Sequence, residues 1–187
     1  IDRFLMPEDQ NRYSEKMLPV TNFFLPGIVF LYQGQEIGMR DDPKQSIRGF
    51  VDKPTFAIYD RLIAEGKTDA EALEQINRES REHSRTPMQW AASAEAGFTT
   101  GTPWFPVNKN YTELNYEAGE KDPESLLWFY RKMVAVRRRE DLEETFLYGT
   151  LVPEYETVSG VLAYRRKDEK NNILILTTSL ADGITLP

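Results

Sequence analysis

Apolar positions along this chain follow first a helical period and then a period of two. From Ser14 to Leu25, Met17, Leu18, Val20, Phe23, Phe24 and Leu25 recur among helix formers, which predicts a helix. Pro19 lies inside that run, where it removes one backbone hydrogen bond and kinks the helix unless the helix begins there. Pro26-Gly27 stops it. Ile28 to Tyr32 is continuously apolar, β-branched or aromatic, and is bounded by Gly27 and Gly34. That is the pattern of a strand buried on both faces of a parallel sheet. The polar stretch from Arg40 to Asp52 reads as loop. Phe56, Tyr59, Leu62 and Ile63 then predict a helix over Thr55 to Glu65, with Gly66 as its C-cap. Thr68-Asp69-Ala70-Glu71 matches a capping box that opens a second helix, with Ala70, Leu73 and Ile76 as its apolar stripe. Together they predict a helical hairpin on the surface.

Thr86 to Tyr116 has no clean period but carries two tryptophans, Trp90 and Trp104, among glycines and prolines, the mark of a functional loop packed on a scaffold. Asp122-Pro123 supplies an N-cap followed by proline at the first helical position. Leu126, Tyr130, Met133 and Val134 form one face of the helix that follows. Arg137, Arg138 and Arg139 fall near its C-terminal end, where cations meet the negative pole of the helix dipole. From Thr145 the period shifts to two. Phe146 to Val152, Val161 to Arg165 and Ile173 to Thr178 read as strands, the last two joined as a hairpin across Asp168 to Asn172. A domain boundary is placed between Arg139 and Thr145.

Composition narrows the function classes. The 187 residues carry 23 Lys plus Arg against 30 Asp plus Glu, a net charge of −7, which argues against a nucleic-acid backbone or an anionic membrane as partner. With 40% hydrophobic and 12% aromatic residues the chain is too apolar for disorder. No apolar run reaches the ~18 residues of a membrane-spanning helix. The absence of cysteine excludes disulfides, thiol nucleophiles and thiolate metal sites, and suits a cytoplasmic location. His83 is the single histidine, so no histidine-rich metal site is expected, and no cofactor. The start at Ile1 without Met, and an end that reads like an interrupted strand, suggest a piece of a larger protein.

The residue types of the long loop point toward sugar. Trp90, Phe98, Trp104, Phe105 and Tyr111 are interleaved near Arg81, Arg85, Gln89, Asn108 and Asn110. Flat rings suit the apolar faces of sugars, and planar amide and guanidinium donors suit their hydroxyls. For any one of these aromatics, packing of the loop onto its scaffold is the better explanation.

The motifs themselves resemble a known family. Tyr32-Gln33-Gly34-Gln35-Glu36-Ile37-Gly38-Met39 is similar to the segment that leaves the last barrel strand of α-glucosidases and oligo-1,6-glucosidases of the α-amylase family. Arg81-Glu82-His83-Ser84-Arg85-Thr86-Pro87-Met88-Gln89-Trp90 resembles their RDxxRTPMQW segment. Ala96-Gly97-Phe98-Thr99, Pro103 to Asn108, Asn110-Tyr111, the Leu126 to Arg139 helix and Val161 to Tyr164 follow in the family's order. The resemblance covers essentially the whole chain. It implies an α/β fold: the C-terminal part of a TIM barrel over residues 1–141, then the start of an antiparallel β domain over 142–187. It also implies a retaining, exo-acting α-glucosidase acting on short α-linked gluco-oligosaccharides.

A retaining glycosidase needs a nucleophile and an acid roughly 5 Å apart. The resemblance implies that the family's Asp nucleophile, its Glu acid/base and its His-Asp carboxylate precede this chain, which then holds no catalytic residue and is inactive alone. It assigns Arg85 to contact with the terminal glucose. Gln33, Glu36 and Arg81 are expected as supporting residues, and His83 as structural. Three departures stand out: Gln35 where Glu is common, Pro19 within a usually unbroken helix, and Pro54 near a Glu that contacts the leaving-group sugar in several members. Trehalose-6-phosphate hydrolases and sucrose isomerases share these motifs, and a catalytically dead, transporter-associated relative is the alternative from another class. The expected partner is an oligosaccharide. Open strand edges are expected to favour self-association.

Overall fold

The computed structural model describes residues 10–178. In chain order the helices are α1 (Arg12–Phe23), α2 (Lys53–Ala64), α3 (Asp69–Glu79), α4 (Tyr116–Lys121), α5 (Leu126–Arg137) and α6 (Glu143–Tyr148). The strands are β1 (Thr150–Glu154), β2 (Val161–Lys167) and β3 (Asn172–Thr178). The chain divides into two compact units, one holding residues 10–38 and 119–178, the other Met39–Ala118.

In the first unit α1 opens on a reciprocal cap between Asn11 and Ser14 and runs through Pro19, which is buried. Ser125, not Asp122, caps α5: its Oγ accepts from the Trp128 N–H, and Pro123 stays outside the helix. The three strands form an antiparallel sheet in the order β1-β2-β3, with Tyr164 paired to Pro153 on one side and Ile175 on the other. Phe23, Phe24, Leu126, Tyr130, Met133, Phe146, Tyr164 and Ile175 make the core. Each such side chain contributes about 1.5–3 kcal/mol by leaving water. Burial also pushes the Tyr130 and Tyr164 hydroxyls up to about 12.

Two further sequence expectations fail in this unit. The stretch from Phe146 is not all strand: Glu143–Tyr148 is helical and β1 begins at Thr150. Gly149 makes the switch, because a Cβ there would meet the Thr145 carbonyl oxygen at 2.4 Å. Ile28–Tyr32 is not a strand of any sheet among the described residues. Its backbone has no ladder partner, and Ile28 and Phe30 are 84% and 86% exposed. The composition encodes a buried strand, but the described residues offer it no flanking strands, and of its side chains Val29 is the one packed against the helical core. The expected open edge at residues 179 and 180 lies outside the described residues.

Two arginines fasten the end of α1. Arg137 donates to the carbonyls of Phe23, Leu25 and Gly27, and Arg166, fully buried, donates to those of Phe24 and Gly149. Arg137 therefore serves the C-terminus of α1, not that of its own helix. Both sites satisfy carbonyls that a helix end leaves without partners.

In the second unit α2 and α3 form the expected hairpin. The Thr68–Glu71 capping box is present, and Gly66 takes the left-handed conformation after α2. Phe50, Leu62, Ala72 and Ile76 are its core. Ala72, not Ala70, completes the apolar stripe of α3. Beyond α3 the chain is held by short 3-10 turns at Arg81–Arg85 and Lys109–Thr112, and by a tight turn at Ala94–Gly97 whose Glu95 and Ala96 take the left-handed conformation.

Candidate functional site

The second unit gathers two guanidiniums on one carboxylate. Asp52 occupies the N-cap position of α2 but makes no side-chain cap bond there. Its Oδ2 accepts instead from Arg81 Nε at 2.6 Å and lies 3.4 Å from Arg85 Nη1. The hydrogen bond from Arg81, reinforced by the charges of both guanidiniums, holds the Asp52 carboxyl below the usual carboxylate range. Arg81 is the outer partner, with 63% of its side chain exposed against 29% for Arg85 and 13% for Asp52. The Arg85 guanidinium also lies over the Phe105 ring, 5.9 Å from its centroid, and Phe105 packs against exposed Trp104 at 4.5 Å.

The backbone under this cluster is fixed by buried polar groups. Glu82 is 2% exposed, and its carboxylate accepts from the amides of Val51 and Asp52 at 2.9 and 2.5 Å. His83 Nδ1 accepts from the Asp42 amide at 3.1 Å, while Nε2 faces the Asn77 carbonyl at 2.6 Å. Those partners define the neutral tautomer with the proton on Nε2. Gln89 is fully buried and donates to Asn110 Oδ1 and the Leu114 carbonyl. Asn108 donates to the carbonyls of Arg40 and Asp41. The Arg-x-x-x-Arg segment is thus presented by a 3-10 turn whose inner residues, Glu82 and His83, fasten the preceding loop.

Of the residues expected to form the site, Arg81 and Arg85 come together on Asp52. Gln33 and Glu36 belong to the other unit. Gln33 is exposed; Glu36 is half-buried in a 3-10 turn between left-handed Gly34 and Gly38. In that turn Gln35 donates to the Tyr130 hydroxyl at 2.8 Å. Sequence reasoning missed Asp52 and Glu82. Asp52 looked like the end of a polar loop, although its place just ahead of Lys53-Pro54 marks a helix start whose carboxylate had to find a use. Among the described residues no cluster of three or more His, Cys, Asp or Glu could hold a metal ion, and no helix is long and apolar enough to cross a membrane.

The arginine pair thus sits on one carboxylate at the start of an aromatic loop, with an antiparallel sheet further along the chain. The family described as α-amylase, catalytic domain, matches residues 3–145, and the chain belongs to it. Its fold class is the α/β C-terminal part of a TIM barrel followed by the start of an antiparallel β domain. The chain is 36% identical over 173 residues to the oligo-1,6-glucosidase of Parageobacillus thermoglucosidasius, covering 90% of this chain and 30% of that protein. The trehalose-6-phosphate hydrolase structure of Bacillus licheniformis matches with a TM-score of 0.86 at 33% identity, over 96% of this chain and 32% of that one. The isomaltulose synthase of Klebsiella sp. LX3 matches with a TM-score of 0.81 at 32% identity, over 89% and 30% respectively. The chain therefore spans about a third of the length of these relatives.

Proposed function

We propose that this chain is the sugar-holding C-terminal portion of a retaining, exo-acting α-glucosidase of the oligo-1,6-glucosidase type, acting on short α-linked gluco-oligosaccharides in the cytoplasm. In this reading residues 1–141 belong to the catalytic barrel and 142–187 open the antiparallel domain. The observation that carries it is the seating of Arg85. A guanidinium has five N–H donors in a fixed fork. One is turned to Asp52, and the side chain is propped on Phe105. Hydroxyl oxygens of a terminal glucose suit the remaining donors, and exposed Trp104 offers a ring to a sugar face. Arg81 anchors the carboxylate, and Glu36 and Gln33 act as supporting residues of the last-strand turn.

Trehalose-6-phosphate hydrolase and sucrose isomerase activities are the readings within the same class, since relatives of these kinds match comparably. In the favoured reading the nucleophile and acid are not among these 187 residues, so the chain alone does not cleave glycosides. The test has two parts. Purified chain with a chromogenic α-glucoside should show no turnover above a heat-killed control. Methyl α-glucoside should shift the Arg85 Nε–H signal in a nitrogen-15 NMR titration, and Arg85→Ala should abolish binding. Turnover by the chain, or binding unchanged in Arg85→Ala, overturns the assignment.

A further inference from the structure

Arg81 and Glu82 are consecutive, and both grip Asp52. Arg81 takes its side chain at Oδ2, and Glu82 takes its backbone N–H through Oε1 at 2.5 Å. The same Oε1 accepts from the Val51 amide at 2.9 Å, and Oε2 lies 3.2 Å from that nitrogen. Ser80 steadies Glu82 in turn, because its Oγ accepts from the Glu82 N–H at 3.2 Å. Between the two held points of Asp52 lie its Cα, Cβ and Cγ. Holding both ends selects one rotamer at χ1 and χ2, so the place of Oδ2 follows from the grip. Glu82 is 2% exposed, and among the described residues its carboxylate is met by amides rather than by a cation. A buried carboxylate is costly unless hydrogen-bonded. Arginines stand at 81 and 85, on either side of it in the sequence, yet both turn to Asp52.

We infer that Glu82 is a positioning residue of the sugar site: its carboxylate fixes the backbone of Asp52, and through Asp52 it sets the seat of the Arg85 guanidinium. The inference rests on the sugar-binding reading of Arg85 and adds the group that acts behind it. Charge and reach both matter. Gln at this position keeps the length, but its Nε2 brings a donor toward amides that are donors themselves. Asp keeps the charge, but its carboxylate stops one methylene short of the amides that Glu82 meets at hydrogen-bond distance.

The test follows the Arg85 Nε–H signal and methyl α-glucoside affinity of the full chain by nitrogen-15 NMR. Glu82→Gln should speed Nε–H exchange about tenfold and weaken methyl glucoside binding by a similar factor, the scale of one hydrogen bond to a charged group. Glu82→Asp should act in the same direction, and it is the variant to read where Glu82→Gln unfolds the turn. A double-mutant cycle separates positioning from stability. In an Asp52→Asn background, where Arg85 has lost its charged anchor, Glu82→Gln should change neither readout further. His83→Ala loosens the same turn toward Asp42 and Asn77; it should lower thermal stability and leave both readouts as they were. An unchanged Arg85 signal in the Glu82 variants, an effect equally large in the Asp52→Asn background, or the same shift in His83→Ala overturns the positioning role. Absence of methyl glucoside binding by the unaltered chain overturns the Arg85 sugar reading instead, and the Nε–H exchange cycle then still decides whether Glu82 seats Arg85.

Discussion

Arg85 and Asp52 are joined by the same carboxylate oxygen that Arg81 grips: Asp52 Oδ2 lies 3.4 Å from Arg85 Nη1 and 2.6 Å from Arg81 Nε. Asp52 gives up the cap of its own helix to make these contacts. Asp52→Asn should therefore leave α2 in place and loosen Arg85. The expected result is unchanged helix content by circular dichroism, with faster exchange of the Arg85 Nε–H and weakened methyl glucoside binding. Arg81→Ala should affect binding less, because Arg85 keeps its partner.

The same pair sets an acid limit. The Asp52 carboxyl is held below its ordinary value of ~3.9 by the Arg81 hydrogen bond and the two positive charges. A depressed folded-state value means the stabilisation is complete above the ordinary carboxylate value and is lost as pH falls from about 4 through the lowered value. Arg85 mobility followed by NMR from pH 7 to pH 3 should stay constant to about pH 4 and rise below it. In Asp52→Asn this acid step should be absent.

His83 fastens a loop in a way a smaller side chain cannot. His83→Ala leaves the Asp42 amide and the Asn77 carbonyl without their imidazole. Orphaning a buried polar group costs about 1–3 kcal/mol, and these two backbone groups are part-buried, which discounts each. Chemical denaturation should show a total loss of about 1–3 kcal/mol, with hydrogen exchange raised across Asp41 to Lys44.

Phe146 shows what was legible in the sequence and what was not. The stretch from Phe146 reads as strand, whereas Phe146 lies in a helix and in the core. Thr145, Phe146 and Leu147 favour strand by local propensity, and the 1% exposure of Phe146 in a tertiary cluster with Phe24 decides for helix. The capping box at Thr68 and the β2–β3 hairpin were legible because each is written in contiguous residues. Asp52, Glu82 and the carbonyl-bound Arg166 were not, because their partners lie 29 or more residues away, or are backbone groups with no sequence signature. Phe146→Ala should cost about 3–5 kcal/mol by opening a cavity between α1 and the sheet. Phe146→Leu should cost clearly less, and urea unfolding of the two variants checks the order.

The last prediction concerns Ile28 to Tyr32. The segment keeps the composition of a fully buried strand, yet Ile28, Phe30, Leu31 and Tyr32 are exposed and the backbone has no sheet partner. Two consequences oppose each other. Amides outside any sheet exchange quickly, while a row of exposed apolar side chains outside any ladder invites pairing with another copy. Association should win at high concentration, since apolar area left in water costs about 25 cal/mol per Å². Light scattering after size exclusion should show the mass per particle rising with concentration. Amides across Ile28 to Tyr32 should exchange rapidly in dilute protein and become protected as it associates, while those of β2 stay protected throughout. Ile28→Lys with Phe30→Thr should hold the chain monomeric without changing the β2 amides. Protection of Ile28 to Tyr32 in a dilute monomer would mean that the segment pairs within its own chain.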